Sequence, residues 1–448
     1  MKLEIHAQGM HVGTLEHDRE RQQWRFDYSS TWLQWENRYP LSPALPLEWP
    51  IGSALPRAAE QHSLLVRTFF ENLLPEGQAL DDAAAATKIS KAESFGLLAA
   101  LGRETAGALE VVSSNTEMRA AAEPVFRPVT REQLSERIRA RPHEPFTVWD
   151  GRVRLSIAGY QDKLAVYEDA GGNWSLVEGS TIASTHLIKP EPVRAALAGM
   201  TSNERLCMQI ASHLGIPAAH TRLVHVPEPV LLIERFDRRR TAAGVDRLHC
   251  VDGCQALGLP VGMKYERPYG NNDSVKAIRD GASLRTLFEL VRVHSPRPAA
   301  ASIALLRWTI FQTLIGNTDA HAKNISFFVT GAGLVIAPAY DLVCSLEYKD
   351  IDDHLAMAIG DEFSPRSQSA FDWAQFAHEC KLPPRVVARH LGELALRARD
   401  ALPAAARQVH EEGGRNDTID HVTEIVRTQI EMLGRLAPGV VDVPAEMF

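Results

Sequence analysis

Three oxygen-bearing side chains set the chemistry this chain could perform. In Gly316-Asn317-Thr318-Asp319-Ala320-His321-Ala322-Lys323-Asn324, an aspartate stands five positions before an asparagine, and Pro338-Ala339-Tyr340-Asp341 brings a second aspartate after a short apolar run. That is the residue inventory of a phosphoryl-transfer site. Asp319 suits the acceptor that faces an attacking hydroxyl, while Asn324 and Asp341 are hard oxygen donors for magnesium held against the phosphates of ATP. Lys323 could neutralise charge on the transferred group. An isolated Asp-x-x-x-x-Asn is more often turn chemistry, and His321 reads equally as a hydrogen-bonded loop residue. The run Leu334-Val335-Ile336-Ala337-Pro338-Ala339-Tyr340-Asp341 favours the site, because it reads as a buried strand delivering one carboxylate. Burying a carboxylate is costly unless a cation or donors compensate it.

A phosphotransferase also needs a cation on the α/β-phosphates. Lys189 closes the apolar run Thr185-His186-Leu187-Ile188-Lys189-Pro190, and Glu204 in the following segment could orient it as an ion pair. A lysine snorkelling from a strand end gives the same pattern. Phosphates want a loop that offers backbone N–H groups, and Ser156-Ile157-Ala158-Gly159-Tyr160-Gln161-Asp162-Lys163 lies between two expected strands. It matches neither the P-loop nor the dinucleotide glycine pattern. Hydrolase signals are absent: there is no Gly-x-Ser-x-Gly elbow and no His-Glu-x-x-His zinc motif.

The elements that must hold these residues follow from periodicity and punctuation. Residues 1–112 read as a small unit. Its strand-like start includes the alternating Trp24-Arg25-Phe26-Asp27-Tyr28, and a helix through Leu64, Leu65, Phe69 and Phe70 breaks near Pro75-Glu76-Gly77. Asp81-Asp82 before an alanine run predicts another helix start. Residues 113–150 read as a linker in which Thr130-Arg131-Glu132-Gln133 opens one short helix with a capping pattern. Residues 151–246 alternate strand and helix, with a hairpin turn at Ala170-Gly171-Gly172-Asn173 and a helix from Asn203 to Leu214. Residues 247–448 read as mostly helical. Arg238-Arg239-Arg240 is expected to be an exposed turn between strands.

Bulk properties set limits. The 448 residues allow two or three domains, and 45% hydrophobic with 23% charged content is ordinary for a globular protein. A net charge of -8 argues against a general nucleic-acid coat protein. No apolar run approaches the ~18 residues of a membrane span, and the start lacks a signal-peptide core. The five cysteines include one close pair, Cys250 and Cys254, without a matching second pair. Buried thiols in a reducing cytosol are the expected account, which makes the expected location cytoplasmic with no membrane partner.

The motifs together resemble the HipA-like serine/threonine kinases, toxin components of type II toxin–antitoxin modules. The resemblance covers nearly the whole chain. It is carried by Phe70-Glu71-Asn72-Leu73-Leu74-Pro75-Glu76-Gly77, Phe95-Gly96-Leu97-Leu98-Ala99-Ala100-Leu101-Gly102, the stretches 156–163 and 185–190, Glu234-Arg235-Phe236-Asp237, Cys254-Gln255-Ala256-Leu257-Gly258, and Gly316 to Asn324. It implies an α+β, protein-kinase-like fold with a small β-containing N-terminal subdomain and a largely helical C-terminal lobe. It implies ATP and magnesium as cofactors, Asp319 as catalytic base, and Asn324 and Asp341 as metal ligands. Lys189 would contact the phosphates, with Ala158, Gly159, Tyr160, Gln161, Asp162 and Lys163 as the loop covering them. Glu234, Arg235 and Phe236 would be the hinge beside adenine, and His321, Lys323 and Tyr340 would complete the nucleotide pocket.

The same resemblance implies self-inactivation by phosphorylation of Ser156. It implies a small helix-turn-helix antitoxin resembling HipB as partner, operator DNA engaged only through that antitoxin, and an aminoacyl-tRNA synthetase, the glutamyl enzyme first, as target. Two other classes remain open at this point: a catalytically idle co-repressor, and a small-molecule kinase with a similar core. Two departures stand out. Val251-Asp252-Gly253 replaces an acidic-aromatic pair, and its glycine is expected to loosen the next helix start. Tyr160 replaces a small residue in the phosphate loop.

Overall fold

A computed structural model describes residues 1–49, 56–113, 123–154, 161–179 and 181–448. The fold is α+β. Its first layer is a four-stranded antiparallel sheet in the order Gln23–Tyr28, Met10–Asp18, Lys2–Ala7, Leu109–Ser113. The alternation read in the sequence puts Leu3, Ile5, Ala7, Trp24 and Phe26 inside. The helix Pro56–Glu71 lies on this face and buries Phe69 and Phe70. The next helix, Gly77–Thr87, starts four residues before Asp81, so those aspartates sit inside it rather than at its cap.

The second layer is a six-stranded antiparallel sheet, ordered Thr221–His225, Pro229–Glu234, His186–Pro190, Leu164–Glu168, Trp174–Glu178, Val125–Val129. The last of these strands lies within the segment expected to be a linker. Part of that segment is instead built into the lobe: Val125–Val129 is an edge strand, and Leu134, Ile138, Phe146 and Trp149 share a core with Leu164, Trp174 and Ile188. The short helix there, Arg131–Ala140, opens with the expected capping box of Thr130 and Gln133.

The rest is a helical lobe built around Pro298–Leu314, Pro384–Glu411 and Asn416–Leu436. In Pro384–Glu411 the residues Val387, Leu391, Leu394, Ala398, Leu402, Ala405 and Val409 are buried at three- and four-residue spacing, which is the apolar stripe of a helix packed on one side. Apolar side chains from the first sheet to this lobe form one contiguous core.

An ionic joint fixes the first layer against the lobes. Arg235 donates to Asp237 at 2.7 and 3.0 Å, to Ser184 Oγ at 2.9 Å and to Thr105 O at 3.1 Å. Arg238 donates to Gly107 O at 2.9 Å, and Asp237 accepts the Gly107 N–H at 2.7 Å. Arg238 is buried, so the arginine run begins inside this joint rather than on an exposed turn. It continues as the strand Arg238–Thr241, where Arg239 and Arg240 are exposed.

Candidate active site

Two turns carry the acidic residues. The buried helix Pro298–Leu314 ends at Ile315, and Gly316, at φ +66°, turns the chain into the catalytic-type loop. Asn317 anchors that loop: its Nδ2 donates to Gln312 Oε1 at 2.9 Å, and its Oδ1 accepts the Asp319 N–H at 3.1 Å. His321 N donates to Asp319 O and Asn324 N to His321 O, both at 2.8 Å, closing the 3₁₀ turn Ala322–Asn324. Asp341 arrives differently from the expected buried strand. The strand Gly333–Ile336 stops short, and Ala339 instead bridges to the lobe above through Ala219 N to Ala339 O and Ala339 N to Pro217 O, both 2.8 Å. Asp341 then takes φ +55°, a left-handed conformation that costs a non-glycine residue energy and is held here by its surroundings.

One cavity of about 640 Å³ is lined by Lys189, Glu204, Asp319, His321, Lys323, Asn324, Tyr340 and Asp341 together with Gln161, Lys163, Glu234, Arg235 and Phe236. That size fits a nucleotide-sized ligand. Of the expected phosphate loop, Gln161 and Lys163 face this space. Asp162 does not line it and pairs with Arg141 at 3.4 Å. Ser156, Ala158, Gly159 and Tyr160 lie outside the described residues.

Lys189 is the electrostatic centre. Its ammonium contacts Glu204 at 2.7 and 3.0 Å and Asp341 Oδ1 at 2.6 Å. Burial opposes charge on Asp341, but the Lys189 and Lys163 ammoniums together outweigh it and hold that carboxyl down at about 2. Burial and then the neighbouring Lys189 push the Lys163 ammonium down to about 8. Asp319 behaves the opposite way: burial raises its pKa, and a 2.6 Å hydrogen bond from the Tyr265 hydroxyl partly offsets this. Burial drives His321 down to about 3, so its ring is neutral; it packs edge-on against Tyr265, and its buried Nδ1 has no hydrogen-bond partner among the described residues.

The donor set fits a hard cation. Asn324 Nδ2 donates to Asp319 O at 2.9 Å, which assigns the amide orientation and leaves Oδ1 accepting no hydrogen bond among the described residues, in the cavity that the ionised Asp341 also lines. Other expected residues play smaller parts. Lys323 donates to Asp252 at 2.5 Å, Asn72 Oδ1 at 2.9 Å and Asn72 O at 3.2 Å, so its ammonium is spent on the protein. The Arg235 guanidinium is spent on the ionic joint. Phe236 packs against Tyr340 with ring centroids 5.5 Å apart, and the Tyr340 hydroxyl donates to Lys323 O at 2.7 Å.

Gly253 proves to be required by close approach rather than a weakness. Its helix opens with a complete capping box of Asp252 and Gln255, and a Cβ at Gly253 would lie 2.5 Å from Ala322 O in the catalytic-type loop. Sequence reasoning missed Tyr265, Lys264, Glu76 and Asn72. No spacing rule links them to Asp319, since they reach the same cavity only through the fold.

Known proteins resemble this chain in sequence and fold. The family model described as the HipA N-terminal domain matches residues 3–112, and the one described as the HipA-like C-terminal domain matches residues 155–402. A serine/threonine-protein kinase toxin HipA of Shewanella oneidensis is 37% identical over 405 residues, covering 90% of this chain and 88% of that one. A putative kinase of Sinorhizobium fredii, Y4mE, is 35% identical over 82% of this chain and 83% of its own. Among solved structures, a Shewanella oneidensis complex of HipA, HipB and operator DNA superposes with TM-score 0.85 and 34% identity, covering 99% of this chain and 100% of that one.

Proposed function

The chain belongs to the HipA family, and on that premise we propose that it is an ATP-dependent serine/threonine protein kinase acting as the toxin of a toxin–antitoxin pair. The observation that carries this reading is the convergence of Asp319, Asn324, Asp341 and the Lys189–Glu204 pair on one cavity. Two relatives bear kinase names, one of them that of a kinase toxin.

In this reading Asp319 accepts the proton of the attacking hydroxyl and positions it, helped by a carboxyl that burial makes more basic than usual. Lys189, oriented by Glu204, binds the phosphates. Asn324 Oδ1 and the Asp341 carboxylate would hold magnesium, which would neutralise phosphate charge. His321, neutral and with Nδ1 open, offers a polar contact to the nucleotide, while Phe236 and Tyr340 supply an apolar wall.

The partner is a small DNA-binding antitoxin of the HipB kind, with operator DNA reached only through it; the likeness to a solved complex of HipA, HipB and operator DNA supports the choice of partner. The substrate is a protein, an aminoacyl-tRNA synthetase and first the glutamyl enzyme, so that phosphorylation stops charging and growth. Ser156 is the site of self-inactivation, since a phosphoserine carries about -1.5 to -2 charge and would repel ATP's phosphates. The test is phosphoproteomics of cells making wild type or Asp319→Asn. Phosphorylation of a synthetase and of Ser156 in the first and of neither in the second supports the reading. Identical phosphopeptides in both overturn it.

A further inference from the structure

Lys264, a cation that lines the cavity, has no part in the roles above. Lys264 sits just after the 3₁₀ turn Val261–Met263, and its carbonyl accepts the Ala322 N–H at 3.1 Å, which straps it to the loop that carries Asp319. Its neighbour Tyr265 holds the Asp319 carboxylate at 2.6 Å. The Lys264 ammonium meets Glu76 Oε2 at 2.7 Å, and Glu76 belongs to the first layer, at the start of the helix Gly77–Thr87.

Donor counting separates Lys264 from Lys323 and Lys189. An ammonium has three N–H donors. Lys323 directs its donors at Asp252 and at two oxygens of Asn72, with its side chain 3% exposed. Lys189 faces three carboxylate oxygens, and its place on the bound phosphates needs the Asp341 oxygen to turn to the metal, which would free one donor. Lys264 makes one hydrogen bond among the described residues, to Glu76, and its side chain is 19% exposed on the cavity. Two donors remain for a ligand.

Resting on the kinase reading above, we infer that Lys264 is the catalytic cation that contacts the phosphoryl group in flight, and that Glu76 is a positioning residue through which the N-terminal layer completes the active site. In the transfer, the acceptor oxygen bonds the γ-phosphorus as the bond from that phosphorus to the β,γ-bridging oxygen breaks. The hydroxyl proton goes to Asp319, and ADP leaves. Lys264 stays protonated throughout and donates to a non-bridging oxygen of the moving group, where charge is spread in the transition state.

The experiment compares full-length wild type, K264M, K264R and E76Q for binding of magnesium-ADP with and without aluminium fluoride, a mimic of the transferring phosphoryl group. Wild type is expected to bind ADP more tightly when aluminium fluoride is present. K264M should bind ADP as wild type does, lose that tightening and lose roughly 100-fold in kcat. K264R should recover part of both. E76Q should lie between, and the E76Q/K264M double variant should be no worse than K264M. Full aluminium fluoride tightening in K264M, even with a lower melting temperature, would show a mere strut between layers and overturn the inference. Wild type that binds no ADP would overturn the kinase reading itself, an outcome distinct from any difference among the variants.

Discussion

Replacing Lys189 with methionine keeps most of the side chain's length and removes the charge that joins two carboxylates. The Glu204 side chain is 2% exposed and that of Asp341 38%. Lowering Asp341 from an ordinary value of 3.8 to about 2 corresponds to ~2 kcal/mol at ~1.36 kcal/mol per pH unit. Because that carboxylate opens on solvent, screening reduces this to ~1 kcal/mol. Glu204 has no such outlet, and stranding one member of a buried pair costs ~3–5 kcal/mol.

Urea unfolding of Lys189→Met at pH 7 is therefore expected to show a loss in that range, relieved when Glu204→Gln is added. The sign with pH is fixed. A depressed folded pKa gives stability that is complete above the unfolded carboxylate value of ~3.9 and fades as pH falls towards the folded one. The gap between wild type and variant should thus narrow on acidification from about pH 4 towards about pH 2. A variant within ~1 kcal/mol of wild type at pH 7, the range of an exposed pair, would refute the reasoning.

Two further outcomes follow from the same contacts. The Tyr265 hydroxyl lowers the Asp319 pKa, so Tyr265→Phe should move the acidic limb of kcat/KM to higher pH; an unmoved limb would mean that Asp319 does not govern it. Gly253→Ala puts a methyl 2.5 Å from Ala322 O, a backbone atom that cannot swing away, and should cost ~1–3 kcal/mol in urea unfolding and displace the Asp319 loop enough to cut turnover.

What the sequence disclosed was mostly local. The Asp319–Asn324 spacing is set by one turn, the capping box at Thr130 by three residues, and the Ala170–Asn173 hairpin by its glycines, and each is found where expected. Lys189 and Glu204 were legible as the end of an apolar strand and the helix after it. Asp341 reaches the cavity by a left-handed turn after a bridge between Ala218 and Ala339 rather than on the expected strand. Long-range partners were silent. Glu76 and Lys264 are 188 residues apart, and Lys323 reaches Asn72 across 251. Hydropathy misled at Arg238, because a charged run reads as solvated until its carboxylates are placed around it.

The claim on which all else depends is that Asp319, Asn324 and Asp341 act on one metal-chelated triphosphate. A crystal structure with magnesium and a non-hydrolysable ATP analogue tests it directly. The metal is expected on Asn324 Oδ1 and the Asp341 carboxylate, with the γ-phosphate facing Asp319. A metal held instead by the exposed Asp352, Asp353 and His354, whose ligand atoms lie within 4.8 Å of one another, or a nucleotide outside this cavity, would contradict it.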